Sequence, residues 1–574
     1  MRKQIQRRPL LYDPDALPIH LPALVRRVYA ARAVQPDELD FSLARLHPAN
    51  SLGGMQRAVE LLEDALAKQA RIIIVGDFDA DGATSCALAI RALRAFGHEQ
   101  VDFLVPDRFE YGYGLSPEIV ELARTRQPDL LITVDNGISS LTGVDAAKAA
   151  GMQVIITDHH LPGTTLPAAD AIVNPNLPDD AFPSKHLAGV GVIFYVMLAL
   201  RARLRETGWF EKQRLPEPNM ADLLDLVALG TVADVVTLDF NNRVLVEQGM
   251  RRIRAGRCSV GILALLQQAG RDPARLVAAD LGFVVGPRLN AAGRLEDMSL
   301  GVACLLTDDF AEASAMAEQL SELNLQRRVI ENTMQEEALA VLERLEQNET
   351  GLPAGLCLMD DNWHQGVIGL LASRIKDRFH RPVIAFAPAG GGELKGSARS
   401  IAGLHIRDLL DRIATQNPGL IQKFGGHAMA AGLSLSSDHF PVFQKKFSKA
   451  VVGELGTAAI VGQVLTDGEL DAMEFNLSNA QALRDAGPWG QGFPEPQFDG
   501  VFEIAQSRIV GERHVKLTVC PAGDDQWLDA IAFNGVDYGW HELRQPIRAV
   551  YRLDVNEFRG RRSVQLIMEY LERA

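Results

Sequence analysis

Short apolar runs alternate with helix-like stretches through the first half of the chain. The runs that predict buried strands are residues 71–75, 101–105, 130–134 and 153–156. Helical patterns separate them at residues 83–96, 117–126 and 141–149. Strands that are apolar throughout and alternate with helices are typical of a parallel sheet covered on both faces. We therefore predict a parallel-sheet α/β domain over residues 55–309, preceded by an N-terminal extension, residues 1–54, that packs on a neighbouring domain.

The pattern changes twice in the second half of the chain. Residues 310–349 are a long, charged helical pattern, which fits either a solvated surface helix or a helix linking two domains. Linking is favoured because α/β signals resume directly afterwards, predicting a smaller α/β domain at residues 350–455. Residues 456–574 contain short β-like runs separated by turn residues, which predicts a C-terminal β-barrel of the OB type. The fold class is thus α/β multidomain.

Composition and charge narrow the possible functions. Hydrophobic residues make up 47% and charged residues 23% of the 574 residues, as in folded globular proteins. The net charge of −15 means that any polyanion must be bound by a local basic groove or by metal ions. The five cysteines include no CxxC pair, which argues against a cysteine zinc site and fits a reducing compartment. No apolar stretch reaches the roughly 20 residues of a membrane span, so we expect a cytoplasmic protein.

Three carboxylates follow the first predicted strand at a spacing of two: Asp77, Asp79 and Asp81. If the strand geometry continued, they would share one face and repel each other unless a cation lay among them. An EF-hand is excluded because Leu88 occupies the position of its last acidic ligand, and a P-loop is excluded because its lysine is missing. Acids that cap a helix N-terminus remain an alternative, but a divalent metal is the simplest explanation.

Two further predicted strands end in polar groups. The third is followed by Asp135 and the fourth by Asp158, His159 and His160. Because ligands bind at the carboxyl ends of strands in open parallel sheets, these groups should meet. Their oxygen and nitrogen donors suit Mn²⁺, Zn²⁺ or Mg²⁺. Adjacent histidines in an extended chain point in opposite directions, so we expect one on metal and the other facing substrate. Asp234 interrupts an apolar run and fits either a salt bridge or a metal ligand.

These segments, in this order, resemble the motifs of the DHH phosphoesterase superfamily. They are residues 77–82, 135–137, 158–160 and 230–234, and residues 425–432 (GGHAMAAG) resemble the signature of the associated DHHA1 domain. Residues 286–294 and 363–369 lie between them. The resemblance covers residues 70–574 and is closest to the superfamily's single-strand-specific DNA exonucleases. It implies 5′→3′ hydrolysis to nucleoside 5′-monophosphates in DNA repair and recombination, alongside a single-strand-binding protein and a helicase.

The resemblance also implies two divalent cations, Mn²⁺ or Mg²⁺, and assigns roles to residues. The implied metal ligands are Asp77, Asp79, Asp81, Asp135 (as the bridge), His159 and Asp234. Asp158 would orient a histidine, and His160 would contact the scissile phosphate. The implied 5′-phosphate contacts are Arg108, Ser397 and Arg399, although a surface salt bridge is an alternative for each arginine.

Other basic groups leave their alternatives open. Arg288 and Arg294 flank small residues that would let a strand approach, so they could follow its phosphates. His427 fits either a nucleic-acid contact or the anchor of a tight turn. The arginines at 559, 561 and 562, with Tyr551 and Phe558 nearby, fit either a single-strand groove or a charged hairpin tip.

Three rival functions use the same motifs. A small-substrate phosphodiesterase or pyrophosphatase would need neither the linking helix nor the barrel. A non-catalytic binding protein is disfavoured because the carboxylate clusters are intact. An RNA exonuclease would differ only in a contact to the 2′-hydroxyl.

Overall fold

The computed structural model describes residues 3–106, 111, 114–346, 352–456, 462–544, 546–558 and 560–574. The chain divides into two compact units. The larger unit comprises Arg7–Asn324 and Leu465–Ala574, and the smaller unit comprises Met1–Gln6 and Leu325–Val464. The α/β multidomain class predicted from the sequence is confirmed, with a parallel sheet and a closed barrel in the larger unit.

The sheet of the larger unit has five parallel strands. In spatial order these are Val101–Leu104, Ile72–Gly76, Leu130–Val134, Gln153–Thr157 and Ala171–Val173. Alternate side chains of Ile72–Gly76 enter two separate cores, because successive residues of a strand point to opposite faces. Both faces are therefore covered, which explains why the strand is apolar throughout.

Helices surround this sheet. They are Met55–Lys68, Ala80–Ala95, Pro117–Arg124, Leu141–Ala149, Gly189–Glu206, Trp209–Gln213, Leu224–Ala233, Phe240–Arg254, Val260–Gln268, Gly286–Leu295 and Ser299–Leu306. A π-helical turn, Leu281–Val285, leads directly into Gly286–Leu295. The long helix predicted after residue 309 is present as Phe310–Glu346. None of the described helices is long and apolar enough to cross a membrane.

The C-terminal barrel belongs to the same unit. Its strands, in order around the barrel, are Phe498–Val510, His514–Pro521, Leu528–Ala532, Arg561–Arg573 and Ile547–Phe558. The helix Leu477–Asp485 packs beside it, and the N-terminal helix Ala23–Ala30 packs against Leu477–Asp485. Tyr29 donates a hydrogen bond to the carbonyl of Ala486 (2.8 Å), and Arg32 binds both carboxylate oxygens of Asp467 (2.7 and 3.0 Å).

The smaller unit has a mixed five-stranded sheet. Its order is Lys423–Gly426, Ala430–Ser436, Glu393–Arg399, Val383–Gly390 and Leu356–Met359. Its helices are Ile368–Phe379, Ile406–Gln416 and Phe440–Leu455. Two short strands, Gln4–Arg7 and Gln463–Thr466, pair separately.

Candidate metal centre

The segment after the first strand turns immediately into a helix. Asp79 caps the helix Ala80–Ala95, and its Oδ1 accepts hydrogen bonds from the backbone N–H groups of Asp81 (2.9 Å) and Gly82 (3.0 Å). The condition that strand geometry continues through Asp81 is therefore not met, since Asp81 lies in the first helical turn. The helix-cap alternative is correct for Asp79 alone. One acid is enough for that cap, so the other two carboxylates have a different purpose.

Asp81 is held by the N-terminus of another helix. Its two oxygens accept hydrogen bonds from the backbone N–H groups of Gly189 (2.6 Å) and Val190 (2.9 Å). Burial, followed by the charge of Asp79, raises the pKa of Asp81 to about 7. Gly230 leaves the space this arrangement needs, because a Cβ there would lie 2.8 Å from Asp81 Oδ1. Gly230 of the 230–234 motif thus leaves room for the carboxylate of Asp81.

Asp135 and His159 lie at the centre of the cluster. His159 Nε2 is 3.0 Å from Asp135 Oδ1 and 3.5 Å from Asp234 Oδ2. Asp135 has a left-handed backbone (φ 61°). Gly189 packs closely against it, because a Cβ at Gly189 would lie 2.5 Å from the Cβ of Asp135. Burial, together with the charge of Asp81, raises the pKa values of Asp135 and Asp234 well above their usual range. Acids crowded in this way favour protons or cations.

Three sets of side chains bring their ligand atoms within 4.8 Å of one another. The sets are Asp77, Asp79 and Asp135; Asp81, His159 and Asp234; and Asp135, His159 and His160. Carboxylate oxygens with one or two imidazole nitrogens are donors that Mn²⁺ and Mg²⁺ accept. The residues present therefore fit divalent cations, and Asp135 belongs to two of the three sets.

Asp158 positions both histidines through hydrogen bonds. Its Oδ1 accepts hydrogen bonds from the backbone N–H groups of His159 (2.7 Å) and His160 (3.0 Å) and lies 2.8 Å from His160 Nδ1. Burial alone would raise the pKa of Asp158. The hydrogen bond from His160 and the charge of His160 instead lower the pKa of Asp158 below the usual value for an aspartate. The same partner raises the pKa of His160 to about 8 against the effect of burial.

The expectation that the two histidines point in opposite directions is wrong. Their ring centroids are 4.5 Å apart. The strand ends at Thr157, and Asp158 turns the chain by binding both following N–H groups, so strand alternation no longer applies. His160 remains the more open of the two, with 29% of its side chain exposed against 11% for His159.

Two asparagines that sequence reasoning missed hold the loops in place. Asn136 is buried and donates hydrogen bonds to the carbonyls of Val75 (3.0 Å) and Val134 (2.9 Å), which ties two strand ends together. Asn290 Oδ1 accepts a hydrogen bond from the N–H of Ala80 (2.7 Å), at the start of the helix that carries Asp81. Both lie in motifs noted in the sequence, where only the charged residues attracted attention.

The arginines of the 286–294 motif lie in the same unit as the cluster. Arg288 donates hydrogen bonds to Ser321 Oγ (3.1 Å) and to the carbonyl of Val284 (2.6 Å). Arg294 lies in the last turn of Gly286–Leu295 and is partly exposed. The predicted phosphate contact at Arg108 lies outside the described residues, as does the arginine at 559.

Ser397 and Arg399 meet in the smaller unit. Both lie on the strand Glu393–Arg399, where Arg399 Nη1 donates to Ser397 Oγ (3.1 Å) and to the carbonyl of Ala398 (2.8 Å). Burial lowers the pKa of Arg399. Within the described part of the chain, no carboxylate lies within 4.0 Å of its guanidinium. A Cβ at Gly369, in the first turn of the helix Ile368–Phe379, would lie 2.9 Å from Arg399 Nη2.

The remaining predicted contacts have clear positions. His427 is exposed in the turn between Lys423–Gly426 and Ala430–Ser436, and its N–H donates to the carbonyl of Ala430 (2.7 Å). Tyr551 is only 1% exposed and belongs to the barrel core, so it cannot line a groove with the nearby arginines as the sequence suggested.

Comparison with known proteins identifies the family. Models of the DHH family N-terminal domain, the DHHA1 domain and the RecJ OB domain match residues 71–231, 352–453 and 466–570. A single-stranded-DNA-specific exonuclease RecJ from Dickeya dadantii is 59% identical over 570 residues, covering 99% of both chains. The chain belongs to the RecJ family. The RecJ of Escherichia coli is 57% identical over 573 residues, again covering 99% of both chains.

A solved RecJ structure supports the same fold. RecJ from Thermus thermophilus in complex with Mn²⁺ matches with a TM-score of 0.80 and 30% identity, covering the whole of this chain and 79% of the other. A second structure, of exonuclease RecJ bound to manganese, is 35% identical and covers 71% of this chain, with a TM-score of 0.58.

Proposed function

We propose that this protein is a metal-dependent exonuclease that degrades single-stranded DNA from the 5′ end and releases nucleoside 5′-monophosphates. The observation that carries the proposal is the convergence of five aspartates and two histidines beside the carboxyl ends of the parallel strands, in a chain of the RecJ family. Such a cluster is costly without cations, because like charges in a buried site repel each other. The barrel gives the chain a second module suited to a polymer rather than a small substrate.

The ligand sets divide between two cations. Asp77, Asp79 and Asp135 would hold one cation, and Asp81, His159 and Asp234 would hold the other; Asp135 also forms a set with His159 and His160, which supports the bridging role that the sequence resemblance implies for it. Cations held there would supply charge to stabilise the phosphate and would lower the pKa of a bound water molecule. The protein's own part is to fix the oxygens: Asp79 through the helix cap, Asp81 through Gly189 and Val190, and His159 through the turn that Asp158 forms.

His160 contacts the scissile phosphate. Its Nδ1 lies 2.8 Å from Asp158, which orients the ring and, against the effect of burial, raises the pKa of His160 to about 8. A protonated imidazole donates to a phosphate oxygen and neutralises part of its charge. Asp158 acts as the positioning residue, since outer hydrogen-bond partners of this kind orient active imidazoles.

Ser397 and Arg399 are the contacts that we assign to the 5′-terminal phosphate; Arg108, for which the sequence resemblance implies the same role, lies outside the described residues. Support comes from the guanidinium of Arg399, which is largely buried, hydrogen-bonds the neighbouring serine and lies at a helix N-terminus. A planar guanidinium fork and a helix N-terminus both suit phosphate oxygens. Arg288 and Arg294 follow phosphates of the same strand, and His427 contacts nucleic acid from its exposed turn.

The biological setting follows from the family. We propose a cytoplasmic role in DNA repair, mismatch repair and recombination, where a helicase supplies the single strand and a single-strand-binding protein accompanies it. The absence of a membrane-crossing helix among the described residues is compatible with that setting.

A panel of substrates tests the function against its rivals. We expect rapid degradation of long single-stranded DNA, and little degradation of duplex DNA, RNA or dinucleotides. Each substrate should be incubated with the wild-type protein in Mn²⁺ and in chelator. Preference for dinucleotides would favour a small-substrate phosphodiesterase, and preference for RNA would favour the RNA exonuclease. Inactivity on every substrate despite bound Mn²⁺ would favour a binding protein.

A further inference from the structure

A basic groove lies in the larger unit, between the barrel and helices that follow the metal centre. It encloses about 440 Å³. Its charged lining residues are Arg254, Arg275, Arg484, Arg562, Asp485 and Glu557. The lining has four arginines against two carboxylates, on a chain whose net charge is −15. Two of the four, Arg254 and Arg275, also pair with Glu247 (3.7 Å) and Asp272 (3.3 Å) outside the lining. The groove is therefore a local site of positive potential on an acidic protein.

Two of these arginines are not neutralised by the protein. Arg484 donates to the carbonyl of Arg275 (3.0 Å), and Arg562 donates to the side-chain oxygen of Gln481. Neither has a carboxylate within 4.0 Å in the described part of the chain, whereas Arg275 pairs with Glu557 (2.7 Å). Neutral acceptors orient the two guanidinium groups and leave their charge available to an anion.

The groove is separate from the metal centre. Arg254 ends the helix Phe240–Arg254, and its neighbour Arg252 pairs with Asp222, just before the helix Leu224–Ala233 begins. Asp234 follows the other end of Leu224–Ala233. A helix of that length spans about 15 Å, so a phosphate in the groove would lie more than one nucleotide beyond the cleaved bond.

We propose that this groove binds backbone phosphates of the single strand, downstream of the nucleotide being removed. This inference rests on the proposed function and adds a second substrate subsite to it. Guanidinium forks match phosphate oxygens. None of the residues lining the groove is aromatic, so bases find no stacking surface there. The contact is therefore made to the backbone and is independent of sequence, as an enzyme that removes every nucleotide requires.

The double substitution Arg484→Ala/Arg562→Ala tests the subsite. A strand of about 30 nucleotides exceeds the roughly 4–16 nucleotides that one OB fold covers, so it can reach the groove. Its Kd should rise about tenfold, and the slope of log K against log salt should become shallower by about 1.4, or 0.7 for each phosphate contact. On a tetranucleotide, which is too short to reach the groove, kcat and KM should not change.

The matched control removes the same charge elsewhere. Arg57 and Arg124 are more than half exposed and pair with Glu60 and Glu121 of their own helices. Arg57→Ala/Arg124→Ala should leave the Kd and salt slope for the long strand at wild-type values. If both double variants weakened binding of the long strand equally, the effect would be due to the overall charge, and the proposed subsite would be wrong.

Two further outcomes contradict the proposal. If the groove variant had the same Kd and salt slope as the wild type, the single strand would not bind in the groove. If the variant lost binding of a polyglutamate peptide and kept the long-strand Kd, the groove would be a docking site for an acidic protein. Failure of the wild-type protein to cleave even the tetranucleotide would instead count against the proposed function, so the two failures are distinguishable.

Discussion

At the scale of single residues, the metal-centre carboxylates are part of the fold as well as candidate ligands. Asp79 caps a helix while Asp81 accepts two N–H groups at the start of another. Asp158 turns the chain so that both histidines face the cluster. These residues could be predicted from the sequence because they follow strand ends. The second role of Asp81 could not, because its partners Gly189 and Val190 lie 108 and 109 positions away in the chain.

The two histidines should respond differently to substitution. His159→Ala should weaken Mn²⁺ binding, because its Nε2 lies among the carboxylate oxygens of Asp135 and Asp234. His160→Ala should lower kcat while changing Mn²⁺ affinity little, because its Nδ1 is engaged by Asp158. Calorimetric Mn²⁺ titrations and turnover measurements on both variants check this. The reverse pattern would mean that the roles are exchanged.

Metal binding should tighten as the pH rises towards neutrality. The pKa of Asp81 is raised to about 7 and those of Asp135 and Asp234 lie well above their usual range, so the metal-free cluster holds protons below neutral pH. A cation must displace those protons. Calorimetry at pH 6 and pH 8, in buffers of different ionisation enthalpy, should show weaker binding and more proton release at pH 6. Equal affinities without proton release would contradict the prediction.

At the scale of secondary-structure elements, one helix supports two ligand-bearing segments. Asn290 of Gly286–Leu295 binds the N–H of Ala80, and Gly293 packs on the carbonyl of Phe78. A Cβ at Gly286 would lie 3.0 Å from the Cβ of Ala233, the residue before Asp234. The small residues of this motif therefore allow the helix to contact both sides of the cluster.

Two glycine substitutions test this support. A Cβ at Gly293 would lie 1.8 Å from the Phe78 carbonyl, whereas a Cβ at Gly453 meets nothing within 4 Å, although both lie near the ends of helices. Gly293→Ala should lower Mn²⁺ affinity about 10–100-fold, the usual cost of disturbing outer-shell support. Gly453→Ala should leave activity unchanged and add about 0.5–1 kcal/mol of stability. If both substitutions changed Mn²⁺ affinity equally, the contact between Gly293 and Phe78 would not be what supports the metal centre.

The elements missed in the sequence share a physical cause. Ala171–Val173 is too short to show a period, and Glu393–Arg399 and Lys423–Gly426 contain glycines or charges that weaken a strand pattern. Cross-strand pairing supplies what local propensity lacks. The strands Ile72–Gly76, Leu130–Val134 and Gln153–Thr157 were predictable because they are almost wholly buried and so largely apolar. The edge strand Val101–Leu104 was recognisable despite the exposed Asp102.

At the scale of the whole molecule, the metal cluster and the proposed contacts to the 5′-terminal phosphate lie in different units. The metal cluster belongs to the larger unit, and Ser397 with Arg399 belongs to the smaller one. Cleavage chemistry and recognition of the 5′ end are therefore separable by substitution. The −15 net charge also makes metal ions and local arginines necessary for binding a polyanion.

Arg399→Ala should impair recognition of the 5′ end more than chemistry. We expect KM to rise and the preference for a 5′-phosphate over a 5′-hydroxyl to weaken, because a binding contact is lost. Arg412→Ala, which removes an exposed arginine paired with Glu454, is the matched control and should behave like the wild type. An unchanged preference with only kcat reduced would assign Arg399 to the scissile phosphate.

The most direct test of the nuclease centre is release of the 5′ label from single-stranded DNA by the wild-type protein and by Asp135→Asn. Asparagine tolerates the left-handed backbone of Asp135 (φ 61°), so this variant removes charge without adding strain. The wild type should release the label as a mononucleotide in Mn²⁺ and not in chelator. The variant should keep its melting temperature in chelator and lose more than about 100-fold in rate, beyond an outer-shell effect. Near-normal release by the folded variant, or release by the wild type in chelator, would contradict the account.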